Sequence, residues 1–329
     1  MNLPLSIAMA SNPRTNPLHD GIVKPDGIDL MCSAIFPSEI FWRQLKFADF
    51  DVSEMSLSSF LMAIDRGDDR WVGLPIFTTR HFFQNWALKR TDRGINSPAD
   101  LKGKKVGVPD YQQTAALWTR GILKDEFGLE ASDMEYWMER SPERSHAGAV
   151  GFQPPPGIVI NQIPPEKNIG TMMASGELDA TLLYIRETNL VDRSTIDLEA
   201  HPQVAPLFDR KTEGARYLKK TGVYPINHAT VIRREIAERH PWVILNLFKA
   251  FAAANEYADR MRMEQMEYYF DAGIVPPESH DAIAQSLTRH GIKANRHILE
   301  AVTRYSHDQG LTSRKLSVDE LFAESTRDT

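Results

Sequence analysis

The sequence predicts an α/β protein of two lobes, each a mostly parallel sheet flanked by helices, with a ligand cleft between them. Three observations carry that expectation. At 329 residues the chain is long for one compact domain. Strand-like runs alternate with helical periods through its first two thirds, the pattern of sheets covered by helices. A late strand-like run, Val223 to Ile232, then follows the second group of such units and suggests a return to the first. The division expected is residues 1–90 plus 226–329 for the first lobe and 91–225 for the second.

The elements follow in order. Leu3, Leu5, Ile7 and Met9 alternate with small or polar residues and predict a first strand that stops at Ser11-Asn12-Pro13. Asp49 to Met55 reads as a second strand, and Ser56 to Ile64 as a helix closed by Gly67. Trp71 to Phe77 and Trp86 to Lys89 are two more strand candidates. Ser97 caps a short turn with Pro98 at its first position, and Val106-Gly107-Val108 opens the second lobe's sheet. After Pro109-Asp110 the spacing of Ala115, Trp118, Ile122 and Leu123 is helical. Residues 141–170, rich in Pro and Gly, predict a long ordered loop or an edge segment. A helix ending at Gly176 and a strand over Asp179 to Tyr184 follow. Beyond Pro241 one amphipathic helix runs through Trp242, Leu245, Phe248 and Ala252, and a second spans Met261 to Phe270.

Composition narrows the class of partner. Hydrophobic content of 42%, charged content of 25% and a formal charge of −6, with both signs interspersed, argue against a nucleic-acid surface or a polybasic membrane anchor. No apolar run reaches bilayer-spanning length. A small molecule is the expected partner, and a homo-oligomer is a mild expectation. The N-terminus lacks the charged start and apolar stretch of a secretory signal, so a cytoplasmic location is expected. The single cysteine, Cys32, leaves no internal disulfide and no cysteine-based zinc cage. No paired-histidine spacing and no phosphate-cradling glycine motif is present, so neither a metal nor a cofactor is expected.

In open α/β sheets ligands bind beyond the carboxyl ends of strands, which directs attention to polar residues there. Arg14 follows the first strand and Arg80 the third; either could fork onto a carboxylate or serve a structural pairing. Asp110, Tyr111, Gln112 and Thr114 sit where a helix starts, and Ser53, Glu54 and Ser56 hold the comparable place in the first lobe. Free N–H groups there suit an anion, although ordinary capping would use the same residues. Tyr111, Phe82, Phe83 and Trp118 are candidates for an aromatic lining, with core packing the better reading for Trp118.

The stretch from Gly107-Val108-Pro109-Asp110-Tyr111 through Thr114-Ala115-Ala116-Leu117-Trp118-Thr119-Arg120-Gly121-Ile122-Leu123 resembles the hallmark segment of the bacterial 4,5-dihydroxyphthalate decarboxylase family. That family is an intracellular offshoot of the type-II solute-binding fold. Arg14-Thr15 with Asp20-Gly21, Ser53 to Ser56, Ser175 to Ala180 and Pro225-Ile226-Asn227-His228 are similar to its shorter blocks, so the likeness covers most of residues 1–235. One block departs from it. Where the family has an Arg-x-Phe-Arg-His run, this chain has Arg80-His81-Phe82-Phe83-Gln84, which marks a sister branch.

The resemblance implies a carboxy-lyase without cofactor, acting on a hydroxylated aromatic dicarboxylate held by arginine. Such a reaction needs a general acid for the ring carbon that bears the carboxylate, and histidine suits it at neutral pH. His228 is the first candidate, with His81 and His19 after it and Asn227 beside it as a substrate ligand. The alternative is a non-catalytic solute-binding protein for an aromatic or related carboxylate.

Overall fold

The computed structural model describes residues 1–329. The chain first lays down β1 (Leu3–Met9), β2 (Ile28–Ala34), β3 (Val52–Ser56) and β4 (Trp71–Leu74), joined by α1 (Asn16–His19), α2 (Pro37–Phe47) and α3 (Leu57–Asp65). It then crosses to a second sheet of β5 (Leu88–Arg90), β6 (Lys105–Val108), β7 (Glu135–Met138), β8 (Val159–Gln162), β9 (Ala180–Thr181) and β10 (Val204–Pro206), in the order β10-β5-β9-β6-β7-β8. Helices α4 (Thr114–Phe127), α5 (His146–Ala149), α6 (Ile169–Ser175) and α7 (Glu213–Thr221) lie in this part of the chain. The return strand β11 (His228–Arg233) inserts between β3 and β4, so the first sheet reads β2-β1-β3-β11-β4. Helices α8 (Arg234–Arg239), α9 (Trp242–Asp271), α10 (His280–Ala284) and α11 (Arg296–Asp308) complete the chain. None of the helices is long and apolar enough to cross a membrane.

Both sheets are mixed. β1 runs parallel to β2 and β3, and β6 parallel to β7 and β9, as the alternation of elements predicts. β11 lies antiparallel to β3 and β4, and β5 antiparallel to β9 and β10. Each antiparallel pair involves β5 or β11, the two strands that the chain enters on passing from one sheet to the other.

Several elements differ from the sequence reading for local reasons. β4 ends at Leu74 because Pro75 offers no N–H to the ladder, and β11 starts only at His228, past Pro225. β2 and β8 escape notice because they are edge strands, Met31 and Val159 lying exposed. α2 was likewise unread, although Pro37 at its first position and buried Ile40, Phe41 and Leu45 mark it. The two helices expected beyond Pro241 are one helix of 30 residues, since nothing between Ala252 and Met261 breaks it.

Helix α4 ties the halves together. Trp118 is fully buried as its spacing predicts; its ring meets Tyr305 of α11 edge-on at 5.5 Å, and Nε1 donates to Ile226 O at 2.8 Å. The approach of α11 requires Gly121, where an added Cβ would fall 2.5 Å from the Tyr305 ring. Gly121→Ala is therefore expected to cost about 1–3 kcal/mol by overpacking. A calorimetric scan checks it, and an unchanged midpoint of thermal unfolding would mean that the two helices separate freely.

Candidate active site

β3 is the central strand of the first sheet, and all five of its residues are buried, polar ones included. Alternation places Glu54 and Ser56 on one face and Ser53 on the other. β11 pairs with it so that His228 stands opposite Ser56 and diagonal to Glu54 on the same face. The consequence is a buried pair: His228 Nδ1 lies 2.8 Å from Glu54 Oε2, with side-chain exposures of 4% and 1%. Glu54 Oε1 accepts a second hydrogen bond, from Ala10 N at the end of β1. Asn227 Nδ2 sits 2.8 Å from His228 Nε2. An amide nitrogen donates only, so Nε2 accepts and Nδ1 carries the proton that it gives to Glu54. Phe41 of α2 closes against the imidazole edge-on at 4.7 Å.

The His228 ring opens onto a cavity of about 480 Å³ between the two sheets. Phe36 and Phe41 from the first part of the chain and Phe83 and Trp86 from the crossing segment give it aromatic walls. His81, Thr79 and Asn227 add polar groups, and Tyr184 and Arg186 close it from the loop after β9. The first turn of α4 faces it through Gln113 and Ala115. The N–H groups of Thr114, Ala115 and Ala116 have no backbone partner, and together with the helix dipole they favour a negative group at that end. His81 is held neutral; burial first, then His228 and Arg14, lower it to about 4.

The two halves meet closely around this cavity. Thr114 Oγ1 lies 2.8 Å from Ser56 Oγ and 3.0 Å from Ser58 Oγ, and accepts from Ser58 N. On the other side Arg140 Nη2 donates to Ser38 Oγ at 2.8 Å, and His146 Nε2 lies 2.8 Å from Ser38 O. Trp42 Nε1 adds a hydrogen bond to Glu143 O. Behind the clasp, the buried Arg140 pairs with Asp192 at 2.7 Å.

Of the residues that the sequence singled out, His228, His81, Ser56 and Asn227 line the cavity, as does Phe83. Glu54 stands behind His228 and Thr114 behind Ser56. The others lie elsewhere. Arg80 is buried and gives its N–H groups to Tyr224 O, Arg289 O and Asn295 Oδ1, a structural anchor for the chain's last quarter. Arg14 donates to Thr78 O and lines a different cavity. The two arginines therefore do not form the fork expected of them in this cleft. His19 does not reach the cleft, and Ser53 lies on the far face of β3. Asp110 accepts from Ser145 Oγ and His146 N, anchoring the clasp, with Gln112 3.5 Å away. Tyr111 is packed between Phe152, Tyr136 and the Arg120 guanidinium. Arg186 and Tyr184 were missed, although they follow a strand and the strand-end rule points to them. Ser38, Phe36 and Phe41 were missed because α2 was.

No protein-family model matches the chain. A 4,5-dihydroxyphthalate decarboxylase of Comamonas testosteroni is 33% identical over 328 residues, which span 97% of this chain and 96% of that relative. One of Pseudomonas putida is 39% identical over 180 residues, 55% of this chain and 70% of the relative. Among solved structures, the periplasmic aliphatic sulphonate binding protein SsuA of Escherichia coli superposes over the whole of both chains with a TM-score of 0.56 at 12% identity. The alkanesulfonate-binding protein SsuA of Xanthomonas axonopodis pv. citri, bound to MOPS, covers 98% of each chain at 0.55 and 13%. The desulfurization enzyme DSZB covers 98% of this chain and 96% of its own at 0.53 and 15%. At such identities the likeness speaks for the two-lobed fold alone.

Two measurements check the assignments around the cleft. Arg80→Met leaves the carbonyls of Tyr224 and Arg289 and the Asn295 side chain without their donor, a loss of about 1–3 kcal/mol; the urea midpoint of unfolding should fall, and an unchanged midpoint would refute the anchoring role. The second concerns pH. His81 at about 4, and His146 and His290 at about 3, each lowered first by burial, lie below the ~6.5 of an unfolded histidine. Their stabilisation is complete above pH 6.5 and is lost as pH falls towards 4, because the unfolded chain takes up protons that the folded one refuses. Asp110, raised by burial, opposes them by keeping a proton that the unfolded chain sheds. Unfolding between pH 6.5 and 5 should then take up protons net, since three histidines outnumber one carboxyl, and this is read as the slope of unfolding free energy against pH; a flat profile over that range would contradict it.

Proposed function

This chain belongs to the 4,5-dihydroxyphthalate decarboxylase family, and from that membership and the cleft's geometry we propose that it is a carboxy-lyase acting on a hydroxylated aromatic dicarboxylate such as 4,5-dihydroxyphthalate. The observation that carries the reading is the Glu54–His228 pair, buried, 2.8 Å apart and opening on an aromatic-walled cavity.

The chemistry needs a proton on the ring carbon before the carboxylate leaves. His228 takes a proton at Nε2, with Glu54 balancing the imidazolium through Nδ1–H, and passes it to the carbon that bears the carboxylate. The bond from that carbon to the carboxylate then breaks, carbon dioxide leaves, and the electron pair restores the aromatic ring. A hydroxyl para to the carboxylate feeds electron density into the ring during this step. His81, held neutral, is suited to accept a hydrogen bond from that hydroxyl. The free N–H groups at the start of α4 and the guanidinium of Arg186 take the place assigned from the sequence to Arg14 and Arg80 as carboxylate ligands. Closure of Ser38 onto Arg140 and His146 keeps water from the ring while it carries the extra proton. The reaction conserves redox state, so the proposal includes no cofactor.

The test follows carbon dioxide release from 4,5-dihydroxyphthalate alongside the thermal shift that the same acid produces. His228→Gln should lower turnover by roughly 10²–10⁴-fold while the shift persists. Glu54→Gln should lower it as well, since the neutral amide no longer balances the imidazolium. Full turnover in His228→Gln would remove that residue from the mechanism. A thermal shift without carbon dioxide release by the unaltered protein would make it a binder of such acids.

A further inference from the structure

A second cavity, of about 840 Å³, lies behind the wall of the cleft. The wall is one backbone bridge thick: Arg80 pairs with Ile226 as an isolated antiparallel bridge, and Asn227 N donates to Thr79 O. Thr79, His81 and Asn227 look into the cleft. Arg14 and Tyr224 look into the second cavity, where Arg14 Nη2 holds Thr78 O at 2.7 Å.

The electrostatics of this second cavity are incomplete. The one side-chain hydrogen bond of Arg14 goes to that carbonyl, and its Nε is shut off from solvent without a partner. Arg262, on α9, gives Nη1 to Asp259 at 2.7 Å, while its Nε and Nη2 are also buried and unpartnered. Guanidinium N–H groups withdrawn from water and left without an acceptor are costly, and an acceptor-only group would satisfy them. Arg14 itself makes no ion pair: Asp259, paired to Arg262, and Glu54 act on it only at a distance, and Asp20 is exposed at the rim. Tyr257, Met261, Ile283 and Leu287 supply the apolar part of the lining. A planar ring with one carboxylate matches both halves of this lining.

We infer that this cavity is a second, non-catalytic binding site for a small aromatic carboxylate, held through its carboxylate by Arg14 and Arg262. Removal of one carboxylate from 4,5-dihydroxyphthalate leaves 3,4-dihydroxybenzoate, a molecule of this class, which makes it the probe of choice. The inference itself stands on the cavity and not on the reaction proposed for the cleft.

Isothermal titration of the full chain with 3,4-dihydroxybenzoate should give two sites. Ala258→Trp, which fills the second cavity from α9, should leave one, and Arg262→Gln should weaken one of the two by at least tenfold. Both variants should retain wild-type turnover of 4,5-dihydroxyphthalate, and His228→Gln should retain both sites. A single wild-type site that Ala258→Trp abolishes would uphold this cavity while telling against product binding in the cleft. Two sites that survive in both variants, one site that neither variant touches, or no binding by the unaltered chain would overturn the inference.

Discussion

A carboxylate buried on the middle strand of a sheet cannot stand alone, and the first lobe is arranged around that constraint. Glu54 is 1% exposed on β3 between β1 and β11. An unpaired charge there would be strongly destabilising. Ala10 N at the end of β1 supplies one hydrogen bond and His228 Nδ1 the other, so the ends of two different strands must meet at Glu54. The return of the chain as β11 therefore has an electrostatic role as well as a packing one. It brings a histidine that lines the cleft into register with the carboxylate. The same pair that stabilises the sheet orients the group that the proposed chemistry requires.

The lobes are held against each other by contacts that differ on the two sides of the cavity. Near the crossing strands the contact is a knot of hydroxyls, Ser56, Ser58 and Thr114, each able to donate or accept. At the mouth it is a clasp of the charged Arg140 and the neutral His146 on Ser38, backed by Asp192 and Asp110. The hydroxyls find their partners in one another, whereas Arg140 has its charge partner, Asp192, in the same part of the chain and reaches Ser38 as an addition.

Much of the architecture was legible in the sequence because it is written in local periods. The alternation of Leu3 to Met9, the helical spacing from Ala115 to Leu123, and the glycine stop at Gly176 all reflect backbone preferences that tertiary contacts reinforce. The elements that went unread, β2, α2 and β8, carry weaker periods because they lie at edges or present mixed faces. The site was legible in part for the same reason. The strand-end rule led to Ser56 and to the segment that holds His81, since it depends only on where strands stop, whereas His228 and Asn227, at the start of β11, were reached through the family resemblance and the need for a general acid. It could not say which way each side chain points.

Direction is settled by alternation along extended backbone, and the segment from Thr78 to His81 shows how. Thr79 and His81 face the cleft, while Arg80 between them turns away into Asn295 and the carbonyl of Arg289. Glu54 and Ser53 divide in the same manner on β3. Arg14 stands across the bridge from His81, close enough for its charge to help keep that histidine neutral, yet it opens on the other cavity. A single extended segment thus serves two cavities through alternate residues. A sequence motif that spans it, such as Arg80-His81-Phe82-Phe83-Gln84, mixes positions that face the substrate with positions that hold the wall. The departure of that motif from the family's Arg-x-Phe-Arg-His run must be judged residue by residue. Phe83 lines the cleft, where an apolar ring in place of a cation alters what can be bound. Gln84 is buried against Glu213 at 3.3 Å and bears on packing alone.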